Sequence, residues 1–327
     1  MKSLGVLFLL ILIAAATLAY LFLTPFGPHS ETFVEIAPGT SATRIAAQLA
    51  GSGVIRSQYS FDLLRAYKAG TLKAGEYRFD HPAPLSEVYA RLLKGDVYTV
   101  TVSIPEGFNI FDIAQAVESA GLGSKEDFLA AERQHTELIA AWSPAAASLE
   151  GYLFPDTYHF SRHATPGQML TAMVRRFRQA TVQLGLTGDV ASTVTLASIV
   201  EKEVSQPSER PLVAGVFVNR LAQNIPLATD PTVIYAALLD NRYRGTIYAS
   251  DLQSPSAYNT YRHTGLPPGP ICNPGLDALR AAISPAKTGY LYFVSDANGH
   301  SRFAATLKEH TANVLAYRKA EHAAGLR

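Results

Sequence analysis

Residues Leu4 to Leu23 form an almost unbroken apolar run without a single charged side chain. At 1.5 Å rise per residue, about 20 helical residues cross the ~30 Å hydrocarbon core of a bilayer. The run therefore predicts a transmembrane helix within a cytoplasmic tip and anchor, residues 1–24. Lys2 precedes it, and the next lysine or arginine is Arg44. That asymmetry places the N-terminus in the cytoplasm and everything from about Pro25 onward outside the inner membrane. Small residues at Ala14, Ala15, Ala16 and Ala19 offer a competing reading as a cleaved signal peptide. The run continues through Tyr20, Leu21, Phe22 and Leu23, past any such cleavage site, which favours a retained single-pass anchor. Either way the remainder is exported to a compartment without a ready supply of ATP or nicotinamide. Hydrolase, lyase or binding functions fit that compartment best.

Lysine plus arginine number 28 against 27 acidic residues, so there is no electrostatic footprint for nucleic acid. The single cysteine, Cys272, allows neither an internal disulfide nor a cysteine-based zinc site. It reads as a small buried side chain. His159 and His163 stand four apart but lack the glutamate of a zinc-protease helix. No metal and no cofactor is expected.

Pro25 to Ser30 is rich in turn formers, and residues 25–31 read as a linker. Two similar passages follow. Phe33 to Thr40 alternates and then turns at Pro38-Gly39, before an amphipathic segment with Ile45, Leu49, Val54 and Ile55. Val100 to Gly107 alternates and turns at Pro105-Glu106-Gly107, before Ile110, Ile113, Ala114, Val117 and Leu122. Each is a strand, a turn and a helix, and the pair predicts duplicated small βα modules over residues 32–145. Gly75 to Phe79 reads as a further strand. Residues 146–327 form a second region of different texture. Helices are predicted over Thr165 to Leu184, Asp189 to Val204 and Arg210 to Leu221. Another opens at Thr229-Asp230-Pro231-Thr232, with Asp230 as N-cap and Pro231 at the first helical position. Ser254 to Pro274 is long and irregular, of a length more often functional than idle. Tyr290 to Val294 is a strand, followed by a final helix.

The chemistry-bearing segment is Leu196 to Glu203. Leu196, Ile199, Val200 and Glu203 stand at i, i+3, i+4 and i+7, one face of a helix. Glu203 thus belongs to the apolar stripe, and Glu201 to a different face. A carboxyl against an apolar wall loses hydration in its charged form and its pKa rises. A protonated acid near neutral pH is what glycosidic cleavage requires. On this reading Glu203→Gln abolishes activity with the fold intact, while Glu201→Gln is far milder. The competing motif is Ser284-Pro-Ala-Lys287 with Lys287-Thr288-Gly289, which matches two signatures of penicillin-recognising serine enzymes. One lysine would have to serve both, and no Ser-x-Asn element lies between, so the match is rejected.

Several motifs in fixed order carry a resemblance. They are Glu150 to Tyr158 (EGYLFPDTY), Ala197 to Glu203 (ASIVEKE), Val216 to Leu221 (VFVNRL), Thr229 to Tyr235 (TDPTVIY), Tyr258 to Tyr261 (YNTY), Gly265 to Pro270 (GLPPGP) and Tyr290 to Val294 (YLYFV). Together they resemble the endolytic murein transglycosylases of the MltG (YceG-like) family. The resemblance implies an α+β chain: an N-terminal transmembrane helix, small LysM-like modules, then a mixed α+β catalytic domain. It implies a lyase of peptidoglycan glycan strands. The bond cut is the β-1,4 link from N-acetylmuramic acid to N-acetylglucosamine, leaving 1,6-anhydro ends, and strand elongation is terminated. It places the catalytic acid at Glu203. Glu150, Asn219, Asp230, Tyr258, Asn259 and Tyr261 are candidates for substrate contact, and wall-synthesis enzymes are candidate partners. Cys272 and Val204 depart from the family pattern, in which small or hydroxyl residues are expected. A hydrolytic muramidase and a non-enzymatic peptidoglycan-binding scaffold are the alternatives.

Overall fold

The computed structural model describes residues 2–204, 206–296 and 299–323, and the chain divides into two compact units, 1–100 and 101–327. In the first unit the apolar run forms α1 (Lys2–Leu23). Its stretch Gly5–Leu23 is long and apolar enough to cross a membrane. Behind it come β1 (Thr32–Ile36), α2 (Ala42–Gly51), α3 (Gln58–Lys68), β2 (Gly75–Phe79) and α4 (Leu85–Lys94). The alternation in β1 buries Val34 and Ile36, and the strand pairs antiparallel with β2, Val34 opposite Tyr77 and Ile36 opposite Gly75. Gly75 is required there: its φ is +141°, and a Cβ would sit 2.4 Å from Val97. Leu49, Phe61, Tyr77, Tyr89 and Leu92 fill the core of this unit.

The stretch read as a linker is tied down rather than free. Phe26 bridges Ala83 through two backbone hydrogen bonds, and Arg56 donates to the Pro25 carbonyl at 3.2 Å while its guanidinium lies over the Tyr20 and Phe26 rings.

The second unit opens with β3 (Val100–Ser103), whose first residue closes the unit before it. It continues through α5 (Ile110–Ser119), α6 (Lys125–Gln134), β4 (Thr157–Phe160), α7 (Pro166–Leu184), α8 (Val190–Glu203) and α9 (Arg210–Ala222). Then come α10 (Asp230–Leu239), the short α11 (Ala249–Leu252), α12 (Leu276–Ile283), β5 (Tyr292–Ser295), β6 (Ser301–Ala304) and α13 (Leu307–Ala323). β3 pairs with β4 and β5 with β6, so the described residues hold three two-stranded sheets among many helices, a mixed α+β architecture.

The second βα passage, expected beside the first in one region, packs instead into the larger unit. The Gly107 N–H donates to the Asn273 carbonyl, and the Asn273 N–H and side-chain amide both donate to the Phe108 carbonyl. The other Asn273 bonds are long-range as well. Its Oδ1 accepts from the Leu153 N–H at 2.8 Å, and its Nδ2 reaches Glu150 at 2.8 Å. One buried amide therefore closes three distant segments. No such partnership is visible in a strand–turn–helix pattern.

Helix ends follow their capping chemistry. Thr165 and Gln168 form a capping box at the start of α7, and Asp189 accepts from the Ser192 N–H at the start of α8. At α10 the expected cap shifts by one: Thr229 is the N-cap, Asp230 the first helical residue and Pro231 the second.

Candidate active site

The C-terminal turn of α8 carries both glutamates, and its surroundings separate them. Leu196, Ile199 and Val200 are buried in a cluster with Val213, Phe217, Leu227 and Tyr235 from the neighbouring helices and loops. Glu203 extends that face to the edge of the cluster, where it meets a cavity of about 580 Å³. That size lies within the range of small-ligand pockets, ~300–1,000 Å³. Among the described residues no hydrogen bond or ion pair reaches the Glu203 carboxyl. Burial is the main cause pushing its pKa up to about 7, the nearby Asp230 charge adds to it, and Arg220 opposes.

Glu201, two residues earlier, is the opposite case. Its carboxylate pairs with Arg210 at 2.7 Å, the two side chains only 5% and 8% exposed, and accepts the Gly275 N–H at 3.0 Å. Glu106 approaches the other side of Arg210 at 3.7 Å. A Cβ on Gly275 would fall 1.8 Å from a Glu106 oxygen, so any larger residue there would push the Glu106 carboxylate aside. The sequence places Glu201 on another face, and it lies there, within a closed ion pair.

Two of the six secondary candidates line the cavity with Glu203. The Tyr261 hydroxyl donates to Asp230 Oδ1 at 2.7 Å, so the pair forms one polar edge of the wall. The other four lie elsewhere. Asn219 spends its amide on the Thr288 and Tyr290 carbonyls, and Asn259 spends its own on the Leu252 and Ser254 carbonyls. Both organise loops. Glu150 is buried, accepts from the Ile110 N–H and the Asn273 amide, and burial raises its pKa to about 8. The Tyr258 ring packs on Tyr235 behind it. None of these four lines the cavity that Glu203 meets.

The cavity also recruits residues that pattern reading passed over. Arg220 donates to the Leu291 and Leu227 carbonyls at 2.6 and 2.7 Å, which pins its guanidinium beside the cavity and over the Tyr292 ring. His310 stacks on Tyr292 with centroids 5.2 Å apart. Arg220 lies within a quoted motif, one turn after the buried Phe217, so its cationic head on an apolar helix was a usable signal. Tyr292 was visible only as a strand residue, and nothing local singles out His310.

Cys272 is fully buried, its Sγ against the Ser198 carbonyl, and burial pushes the thiol pKa well up. It is inert packing. Val204 is likewise a core residue. Ser284, Lys287 and Thr288 border a separate groove that also includes Gly215 and Asn219.

This arrangement defines an α+β protein in which a desolvated carboxylic acid at a helix end faces an aromatic and polar cleft. The chain belongs to the YceG-like family, whose model matches residues 34–316. It is 34% identical over 311 residues to a Bacillus subtilis protein named endolytic murein transglycosylase, the match covering 88% of this chain and 86% of that one. A Streptococcus pneumoniae protein of the same name is 32% identical over 330 aligned positions, covering 89% of this chain. This chain spans only 60% of the pneumococcal protein's length. A crystal structure of a yceG-like protein from Listeria monocytogenes superposes with a TM-score of 0.57 at 31% identity, covering 87% of this chain and 99% of that one.

Proposed function

We propose that this protein is a peptidoglycan lytic transglycosylase, a lyase cutting within glycan strands, with Glu203 as its acid. The observation that carries the assignment of Glu203 is its unpartnered carboxyl at the cavity, with a pKa near 7. Such a group is substantially protonated at neutral pH and is free to give up its proton.

The reaction needs one such group. Glu203 protonates the leaving glycosidic oxygen as the muramoyl C1–O bond breaks. The resulting carboxylate accepts the proton of the muramoyl 6-hydroxyl as that oxygen bonds to C1. Because the attack is intramolecular, no water enters and no second carboxylate nucleophile is required. The positive charge developing at C1 is stabilised by the substrate's own acetamido group. Tyr261 and Asp230 offer a donor and acceptors for sugar hydroxyls, and Tyr292 offers a face for a ring.

The anchor keeps the protein at the inner membrane, with its N-terminus in the cytoplasm and the unit holding Glu203 in the periplasm. The first unit, and the βα passage after it, supply LysM-like contacts to the glycan, and cleavage of nascent strands ends their elongation beside wall-synthesis enzymes. The test is digestion of purified glycan strands by the full chain in detergent, with fragments weighed by mass spectrometry. Anhydro ends, lighter by one water than hydrolytic ends, are expected. Products carrying the added water would make the protein a muramidase, and binding without cleavage would make it a scaffold.

A further inference from the structure

Helix α3 carries a feature that neither the fold core nor the cavity uses. Tyr59, Leu63 and Tyr67 stand at i, i+4 and i+8 and are 76, 51 and 86% exposed. They form a stripe turned about 100° from the arc that buries Ser60, Phe61 and Leu64. The stripe runs into an apolar groove of about 450 Å³ made by Leu18, Phe22 and Leu23 of α1 with Leu63, Leu64 and Tyr67 of α3. This groove belongs to one compact unit, and α1 packs directly on α3 and α4 within it.

The depth of that groove follows from the anchor. Gly5–Leu23 spans the hydrocarbon layer with little to spare, so Leu23 lies at the layer's outer edge. Leu18 precedes it by five residues, about 7 Å deeper along the axis. Side chains of α3 that share a groove with Leu18 therefore cannot stand clear of the bilayer. We propose that the Tyr59, Leu63 and Tyr67 face of α3 is embedded in the outer headgroup and upper acyl region of the membrane that α1 crosses. The inference rests on α1 being a retained membrane anchor.

The chemistry of the face fits that layer. Tyrosine is favoured where an apolar ring meets a wet edge, and both exposed tyrosines can bury the ring while the hydroxyl stays among headgroups. Arg65 and Lys68 in the last turn of α3 provide cations for anionic phospholipid headgroups. An exposed apolar patch of this kind on a soluble unit marks a binding surface, and here the lipid is already present at its depth. The consequence is a two-point attachment, a spanning helix plus an interfacial helix lying against it. It fixes how the first unit stands on the bilayer.

The experiment uses the full chain in vesicles of phosphatidylethanolamine and phosphatidylglycerol. Cys272 is fully buried, so a thiol-reactive, environment-sensitive fluorophore reports from added cysteines. Variants Tyr67→Cys and Leu63→Cys probe the face, Ile11→Cys probes the anchor and Tyr243→Cys probes an exposed site of the second unit. Lipids carrying a nitroxide near the headgroup or deep in the chain act as quenchers, and iodide acts from water. Reporters at 67 and 63 are expected to emit further to the blue than at 243 and to be quenched by the shallow nitroxide, while 11 is quenched by the deep one. Iodide quenching at 67 and 63 equal to that at 243 would overturn the proposal. Shielding from both lipid and iodide would also overturn it, by showing that a second copy or another protein covers the face. If position 11 itself escapes the deep nitroxide, the anchor reading fails, and that outcome is separate from the other two.

Discussion

The last turn of α8 presents two carboxylates to two different regions, and their contrast explains the site. Around Glu201 the protein supplies partners, the Arg210 guanidinium and the Gly275 N–H, which oppose the burial and the nearby Glu106 charge that together hold its pKa above the ordinary value. Around Glu203 it supplies apolar packing, a like charge at Asp230 and an arginine whose Nε and Nη1 are held by carbonyls. One region completes its charge and becomes structure. The other withholds partners, and the carboxyl keeps its proton up to about pH 7. Residue type and helix are the same, so the difference lies in what the rest of the chain brings to each face.

The sharpest way to break this contrast is to neutralise each acid isosterically. Glu203→Gln is expected to lower strand cleavage by roughly 10²–10⁴-fold, read as anhydro ends by mass spectrometry, without loss of melting temperature. Retained cleavage would remove Glu203 from the chemistry. Glu201→Gln should give the reverse signature. It leaves Arg210 with only the more distant Glu106, at a cost of about 3 kcal/mol in a denaturant melt. Residual activity at low temperature should survive. This refines the expectation from pattern alone, in which Glu201→Gln is mild. It is mild for the chemistry and severe for the fold.

A third comparison uses pH. The folded pKa of Glu203, about 7, lies above its ordinary value of 4.5. The native state therefore holds this proton more tightly than the unfolded chain. The associated stability is fully present below about pH 4.5 and is lost as pH rises through about 7. Above that range Glu203→Gln should be more stable than the parent by on the order of 2 kcal/mol, and the advantage should vanish in acid. Equal melting curves at every pH would mean that the carboxyl is solvated. The smallest effect is expected from Asp230→Asn. Removing the like charge makes Glu203 ionise earlier, so the alkaline limb of the rate profile should move to lower pH by up to about one unit. An upward shift would contradict the sign of that coupling.

Much of this was legible locally. α7, α8 and α9 lie within a residue or so of their expected ends, because caps such as Thr165 with Gln168 and Asp189 with Ser192 are short-range chemistry. β2 coincides with its expected span, and Glu203 lies at the end of the stripe that its spacing implied. What escaped is long-range. Asn273 drawing Phe108, Leu153 and Glu150 together, and His310 arriving on Tyr292, join segments with no shared periodicity. Asn219 and Asn259 illustrate the converse error. Polar side chains beside aromatic residues, one on helix α9 and one in a loop, look available in sequence, but their amides are consumed by carbonyls.

The Gly275 N–H that completes Glu201 lies 74 residues downstream of it. During synthesis, therefore, α8 leaves the ribosome well before the segment that locks its end. Until that segment emerges, the hydrogen-bonding partner already made is Arg210, only nine positions later. The newborn helix is held by a short-range clasp first and seated by a distant one afterwards, so a pause or truncation ahead of residue 275 would yield a chain whose acid exists but whose bed does not.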